Sequence, residues 1–414
     1  MSDDWYESVT AEFEDPGIEM DLFLEIIEDN SGKAANQRRG SLPGRRNIAR
    51  NFVLGHEMLM DHYFSPQSVY PENLFERRFR MPKRMFLRIL EDITAANDYF
   101  KLKCNAAGKP GLSGIQKCAA AIRQLAYGTA SDATDEYIQI GESTANEAMK
   151  EFCRTLLKLY REIFLRPPNQ SQKAALEEEN ASRGFPGMIG SIDCMHWEWK
   201  NCPVALKGQY QGKEGKATVV LEAVASYNCR IWYCNFGAAG SCNDINILDN
   251  SPLLDEIIHN GMLDLTYEVN GKTRERGYLL GDGIYPDWSC FVKTISHPSN
   301  AKEQHFATVQ ESVRKDVERC FSLLTNTWQI TKQPCRLWDL QTMILVMEAC
   351  IILHNMRIEY NEHEEVVFRP NSNEREPKTF TQYCEIRANI KCATENAALR
   401  KDLIDHLWHV RGEQ

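Results

Sequence analysis

From residue 185 to residue 360 the chain sets short, almost wholly apolar runs against amphipathic helical stretches, and two of those runs stop at an aspartate. GMIGSIDCMHWEW reads as a short strand ending at Asp193. ATVVLEAVASY and RIWYCNFG read as two strands joined by a tight turn at Asn228, a hairpin signal. A helical stretch from Asp244 to His259 follows, then GYLLG (Gly277 to Gly281), another short strand, ending at Asp282. Gln310 to Trp328 is periodic as one helix, with Val313, Val317, Phe321, Leu324 and Trp328 on its core side. Residues 341–357 form a buried helix. Strand, hairpin, helix, strand, helix is the order of an α/β domain with a mixed sheet.

Residues 52–165 are helical instead. Arg80 to Ala96 carries Pro82 near its first turn and Phe86, Ile89, Leu90 and Ile93 at helical spacing. A second helix runs from a Ser113 cap to a stop at Gly128. Asp132 opens a short one, and Thr144 with Glu147 reads as the capping box of a longer one. Two helices around a turn at Gly141 suit a helix-turn-helix, and equally a small helical bundle with no DNA role. Residues 166–184, rich in proline, glutamine and charge, read as a linker. Residues 361–414 read as a helical tail.

The charge of −10 is unevenly spread: residues 1–30 carry only acidic charges and residues 31–51 only basic ones. Such paired blocks read as a disordered tail over 1–51. Arg38, Arg39, Arg45 and Arg46 are alternatively a nuclear-import signal or a phosphate-contacting arm. No apolar run approaches the roughly 18 residues of a membrane span. The acidic N-terminus lacks the pattern of a signal peptide, so an intracellular protein is expected. Fourteen scattered cysteines without a CxxC pair argue for reduced thiols rather than a disulfide scaffold or zinc ribbon. GQYQGKEGKAT and GAAGSCND miss the phosphate-loop spacing, which argues against ATP use.

Asp193 and Asp282 at strand ends stand where ligand sites gather in open α/β sheets, although aspartate is also a common turn residue there. Glu318 lies on the polar border of its helix, and its plainest partner is Arg314, four residues earlier. Three carboxylates on two strand ends and a helix suit hard divalent cations. Two such ions about 4 Å apart clamp the attacking and leaving oxygens of a phosphodiester. Asp244, in GSCNDIN, is either a fourth ligand or a helix N-cap. His196, Trp197 and Trp199 read as packing and hydrogen-bonding groups, Glu222 as a buried acid with a core partner, and His354 as a core histidine.

These blocks, GSIDCMHWEWKNCP, TVVLEAVASY, GSCNDINIL, GDGIYP, QESVRKDVERCFSLL and ACIILHNM, resemble the DDE transposases of the PIF/Harbinger superfamily in content and order over about residues 70–360. The resemblance implies an RNase H-like mixed sheet flanked by helices over 185–360, with Asp193, Asp282 and Glu318 as catalytic triad. They would hold two Mg²⁺ or Mn²⁺ ions, with Asp244 carried over less directly as a ligand. It implies a transposase or endonuclease that cuts element ends by water attack and joins the 3′-hydroxyl to target DNA. The alternative is a domesticated, non-cutting DNA-binding or chromatin-associated protein. Lys213, Lys216, Arg314, Lys315 and Arg319 would then meet DNA phosphates near the acidic site. Lys150, Arg154 and Lys158 form a cationic stripe on the helical domain. Double-stranded DNA, a separate Myb-like DNA-binding protein and a second copy of the chain are the expected partners. The nucleus is the expected location, reached from the cytoplasm with that Myb-like partner.

Overall fold

In the computed structural model the described residues are 48–212, 214–362 and 378–412. Arg38, Arg39, Arg45, Arg46 and Lys213 lie outside them, as does most of the 1–51 tail. The chain divides into two compact units, Met1–Leu159 and Tyr160–Gln414. No helix among the described residues is long and apolar enough to cross a membrane.

The first unit is helical: α1 (Phe52–Leu59) with a π-helical turn after it (Met60–Phe64), α2 (Glu72–Phe79), α3 (Lys83–Ala96), α4 (Gly114–Tyr127) and α5 (Asp135–Ile138). Helix α6 (Glu142–Phe164) begins within it. The apolar period of α3 buries Phe86, Ile89, Leu90 and Ile93. Helix α4 starts at the expected Ser113 with a complete Ser113–Gln116 capping box, and stops at Gly128 in the left-handed conformation. One boundary differs from expectation. Gln139 turns left-handed (φ 59°) and ends α5, so the chain re-enters helix at Glu142 and Thr144 lies inside α6 rather than capping it.

The second unit is built on a five-stranded mixed sheet flanked by helices, of order β3-β2-β1-β6-β7. These strands are β1 (Met188–Glu198), β2 (Thr218–Ala225), β3 (Ile231–Ala239), β6 (Tyr278–Leu280) and β7 (Phe291–Val292). Strands β1, β2 and β3 pair antiparallel, and β1, β6 and β7 pair parallel. A separate hairpin joins β4 (Asp264–Val269) to β5 (Lys272–Arg276). Side chains alternate across the sheet as a pleated strand requires. Leu279 and Phe291 enter one core with Leu253, Ile257 and Tyr285, whereas Tyr278, Leu280 and Val292 enter another with Phe306, Val313 and Leu403.

Four expectations fail here. Asp193 does not end a strand, because antiparallel pairing with β2 carries β1 on to Glu198. Residues 166–184 are no linker. They form helix α7 (Gln170–Ser182), started by an Asn169–Gln172 capping box and packed on β1, with Leu176, Lys173 and Asn180 buried. The stretch 310–328 is two helices, α11 (Ala301–Arg314) and α12 (Asp316–Thr327), separated at Lys315. The stretch after Asp244 is likewise two short helices, α9 (Asp244–Asp249) and α10 (Leu253–Ile258), with α8 (Val204–Tyr210) lying earlier, after β1. Helix α13 (Leu340–Glu362) is the expected buried helix, and α14 (Phe380–Ile390) and α15 (Ala393–Gly412) follow. All fourteen cysteines are free thiols.

Candidate active site

Register decides which way Asp193 faces. It stands opposite Ala223 on β2, while its neighbour Cys194 stands opposite Glu222. Directly opposed residues share a face of the sheet and successive residues alternate. Asp193 therefore faces away from Glu222, and the side it takes is that of the α11–α12 joint, where Arg314 meets it. The parallel ladder with β6 ends at Ser191–Leu280, so Asp193 and Asp282 both lie just beyond its last rung.

The α11–α12 break supplies the rest. Arg314 closes α11, and its guanidinium reaches Asp193 Oδ2 at 3.4 Å and Glu318 Oε1 at 3.0 Å. Glu318, in the first turn of α12, is half exposed, whereas Asp193 is largely covered. Asp193 Oδ1 accepts the Cys194 N–H at 2.8 Å. Burial pushes the Asp193 carboxyl up to about 6; the Cys194 N–H and Arg314 counter it, and the charges of Asp282 and Asp244 add to it. The charges of Asp282 and Asp244 thus both act on Asp193, and Arg314 ties Glu318 to it. Asp282 Oδ1 accepts the Ile284 N–H at 3.0 Å, an Asx-type turn that fixes its side chain. Asp244 is not the N-cap of its helix. Asn243 caps it, accepting the Asn246 N–H at 2.9 Å, and Asp244 is the first helical residue.

The donor chemistry fits a hard divalent cation, being all carboxylate oxygen and already holding a cationic stand-in, the guanidinium between Asp193 and Glu318. Among the described residues no three His, Cys, Asp or Glu side chains close on a point tightly enough to hold a metal ion.

Other residues fall where their chemistry places them. Trp197 and Trp199 are buried and donate their indole N–H groups to the carbonyls of Gln333 and Leu337, both at 2.8 Å. His196 is exposed and bonds Thr218 Oγ1 at 2.9 Å. His354 is buried against the Cys229 carbonyl at 2.8 Å, and burial lowers its pKa to about 4. Lys216 pairs with Glu198 at 2.9 Å, and Arg319 lies over the Tyr227 ring and pairs with Asp316 at 3.4 Å. Lys315 is exposed at the helix joint. On α6, Lys158 is exposed, Lys150 half-buried, and Arg154 paired with Glu151. Sequence spacing pointed to the Arg314–Glu318 pair; the reach of Arg314 to Asp193, 121 residues away, had no sequence signal.

Comparison with known proteins adds the lineage. Residues 162–365 match the family described as "Plant transposon protein", and residues 55–94 match a domain of unknown function, DUF8418. The chain is 20% identical over 226 residues to a Bos taurus protein titled "Putative nuclease HARBI1", covering 54% of this chain and 61% of that one. It is 18% identical over 280 residues to the Homo sapiens protein of the same title, covering 67% and 75%. It thus spans less than two thirds of the bovine relative's length. No solved structure matches. Family domain, relatives and the ordered motifs agree: residues 162–365 carry a plant-transposon, PIF/Harbinger-like domain, and the chain is homologous at modest identity to a Harbinger transposase-derived nuclease.

Proposed function

We propose that this protein is a divalent-cation-dependent enzyme that cuts DNA phosphodiesters with water and joins the freed 3′-hydroxyl to target DNA by attack on a target phosphodiester, which releases a 3′-hydroxyl of the target strand. The mixed sheet with flanking helices is compatible with an RNase H-like fold. The carrying observation is the gathering of charge at one place: Asp193, Asp282 and Asp244 interact electrostatically there, and Glu318 is joined to Asp193 through Arg314. Asp193, Asp282 and Glu318 would hold Mg²⁺ or Mn²⁺ ions, with Asp244 as a further oxygen donor. Such ions, when bound, make water a stronger nucleophile and offset charge on the phosphate. The chain's own residues do the rest. Asp193, fixed by the Cys194 N–H, and Asp282, fixed by its turn, keep their oxygens oriented. Arg314 offsets the like charges and, with Lys315, Arg319, Lys216 and Lys213, offers cationic contacts to DNA phosphates.

Double-stranded DNA is the substrate, contacted also by Lys150, Arg154 and Lys158. Recognition of element ends falls to a separate Myb-like protein and to a second copy of this chain, and the site of action is the nucleus. A second reading, a domesticated protein that binds DNA without cutting, is favoured by one observation. Arg314 already neutralises Asp193 and Glu318 without a metal. Supercoiled DNA incubated with Mn²⁺ separates the two. The first reading expects nicking by the wild type and at least a hundredfold loss in folded Asp282→Asn and Glu318→Gln variants. Equal nicking by wild type and variants would reject it, and no nicking by the wild type on its own element ends would favour the second.

A further inference from the structure

The helical first unit holds a cavity of about 350 Å³. Its wall includes Tyr63, Tyr70, Arg78, Arg123, Tyr127 and Tyr137, two guanidiniums among four phenol rings. Arg78 lies 3.9 Å over the Tyr70 ring, and Arg123 lies 5.8 Å over the Tyr127 ring. Both guanidiniums donate to one oxygen, the Tyr63 hydroxyl, which is 3.0 Å from Arg123 Nη2. Tyr137 bonds His62 at 2.7 Å and stacks on its ring. No carboxylate lines the cavity, and among the described residues neither Arg78 nor Arg123 enters an ion pair.

A guanidinium keeps its full charge and five donors in a planar fork shaped for phosphate. Two of them, half-buried side by side, are met here by tyrosine ring faces and phenol oxygens, the Tyr63 hydroxyl shared by both. The cavity wall thus presents cationic donors and no carboxylate, a lining that suits an anion. Its walls also fix the anion's companion, since tyrosine faces stack on a flat ring of any base. The volume lies within the roughly 300–1,000 Å³ of small-ligand sites.

We infer that this cavity binds one unpaired nucleotide of a DNA strand, its phosphate held by Arg78 and Arg123 and its base against the tyrosine rings. A base inside a duplex cannot present its face, so the occupant is single-stranded or frayed. The choice of DNA over other phosphate-bearing rings rests on the family assignment, not on the carboxylate site.

The test uses the full chain and fluorescent hexathymidylate, followed by anisotropy, with 5′-dTMP, inorganic phosphate and phosphotyrosine as competitors. Ala133 is exposed and lines the cavity, so Ala133→Glu adds a carboxylate beside the arginines without disturbing the core. Expected are saturable binding, displacement by 5′-dTMP at least tenfold better than by phosphate or phosphotyrosine, and at least tenfold weaker binding in Ala133→Glu and Arg123→Gln. If Arg123→Gln fails to fold, Ala133→Glu decides alone. The titration is run in EDTA, without divalent cation, so that binding at the cavity is read apart from the cation-dependent chemistry proposed for the carboxylates. Wild-type affinity in Ala133→Glu, absence of binding, or displacement by phosphate or phosphotyrosine as good as by 5′-dTMP would each overturn the inference.

Discussion

Glu222 has no exposed surface, and one of its oxygens accepts from Tyr233 Oη at 3.2 Å while the other has no hydrogen-bond partner. Burial pushes its carboxyl up to about 7, with Ser251 and Tyr233 opposing and Asp244 adding. Such a group holds its proton more tightly folded than unfolded. Its stabilising share is full below the ordinary carboxyl range, near 4.5, and is lost as pH rises through 7. Glu222→Gln keeps the shape without the titration. It should therefore be more stable than the wild type at pH 8, by on the order of 3 kcal/mol, with the gap closing by pH 4. Denaturant melts across that range check it; parallel pH profiles would contradict the burial argument. The sequence already marked Glu222 as an acid inside an apolar strand. What it lacked was the strand register that turns Glu222 and Asp193 to opposite faces, because register is a property of two strands, not one.

Elements were most legible where every determinant is local. Helix α3 follows from its apolar period after Pro82, and α4 from its apolar period, a capping serine and a terminal glycine, each within one stretch of chain. Errors came where a distant partner decides. Strand β1 outruns its apolar run because β2 pairs with it, and α7 was hidden by polar composition although β1 covers its Leu176. The break at Lys315 was masked because Val313 and Val317 stay buried on either side of it. Asn355, in ILHN, is another case of distant partnership. It accepts the Ile231 N–H at 2.9 Å and donates to the carbonyls of Ile231 and Phe164 at 2.7 and 2.8 Å. One buried amide thus joins α13, the start of β3 and the end of α6. Asn355→Leu would strand those backbone groups and should cost about 3 kcal/mol or more in urea unfolding. A loss under about 1 kcal/mol would show that water or rearranged backbone serves them equally well.

At the scale of the molecule, one unit gathers carboxylates and the other holds a cationic aromatic cavity. Asp193, Asp282 and Glu318 each sit in a short block of sequence that drew them out as candidates. They were not legible as a site, since Arg314 enters only through the fold. The central claim is that Asp193, Asp282 and Glu318 make one cation site, and calorimetric titration of Mn²⁺ into the full chain reads it directly. The account predicts saturable binding that disappears in folded Asp193→Asn and Asp282→Asn, survives in Asp249→Asn at an exposed acid nearby in sequence, and tightens in Arg314→Gln. Unaltered Mn²⁺ binding in Asp193→Asn, or none in the wild type, would contradict it.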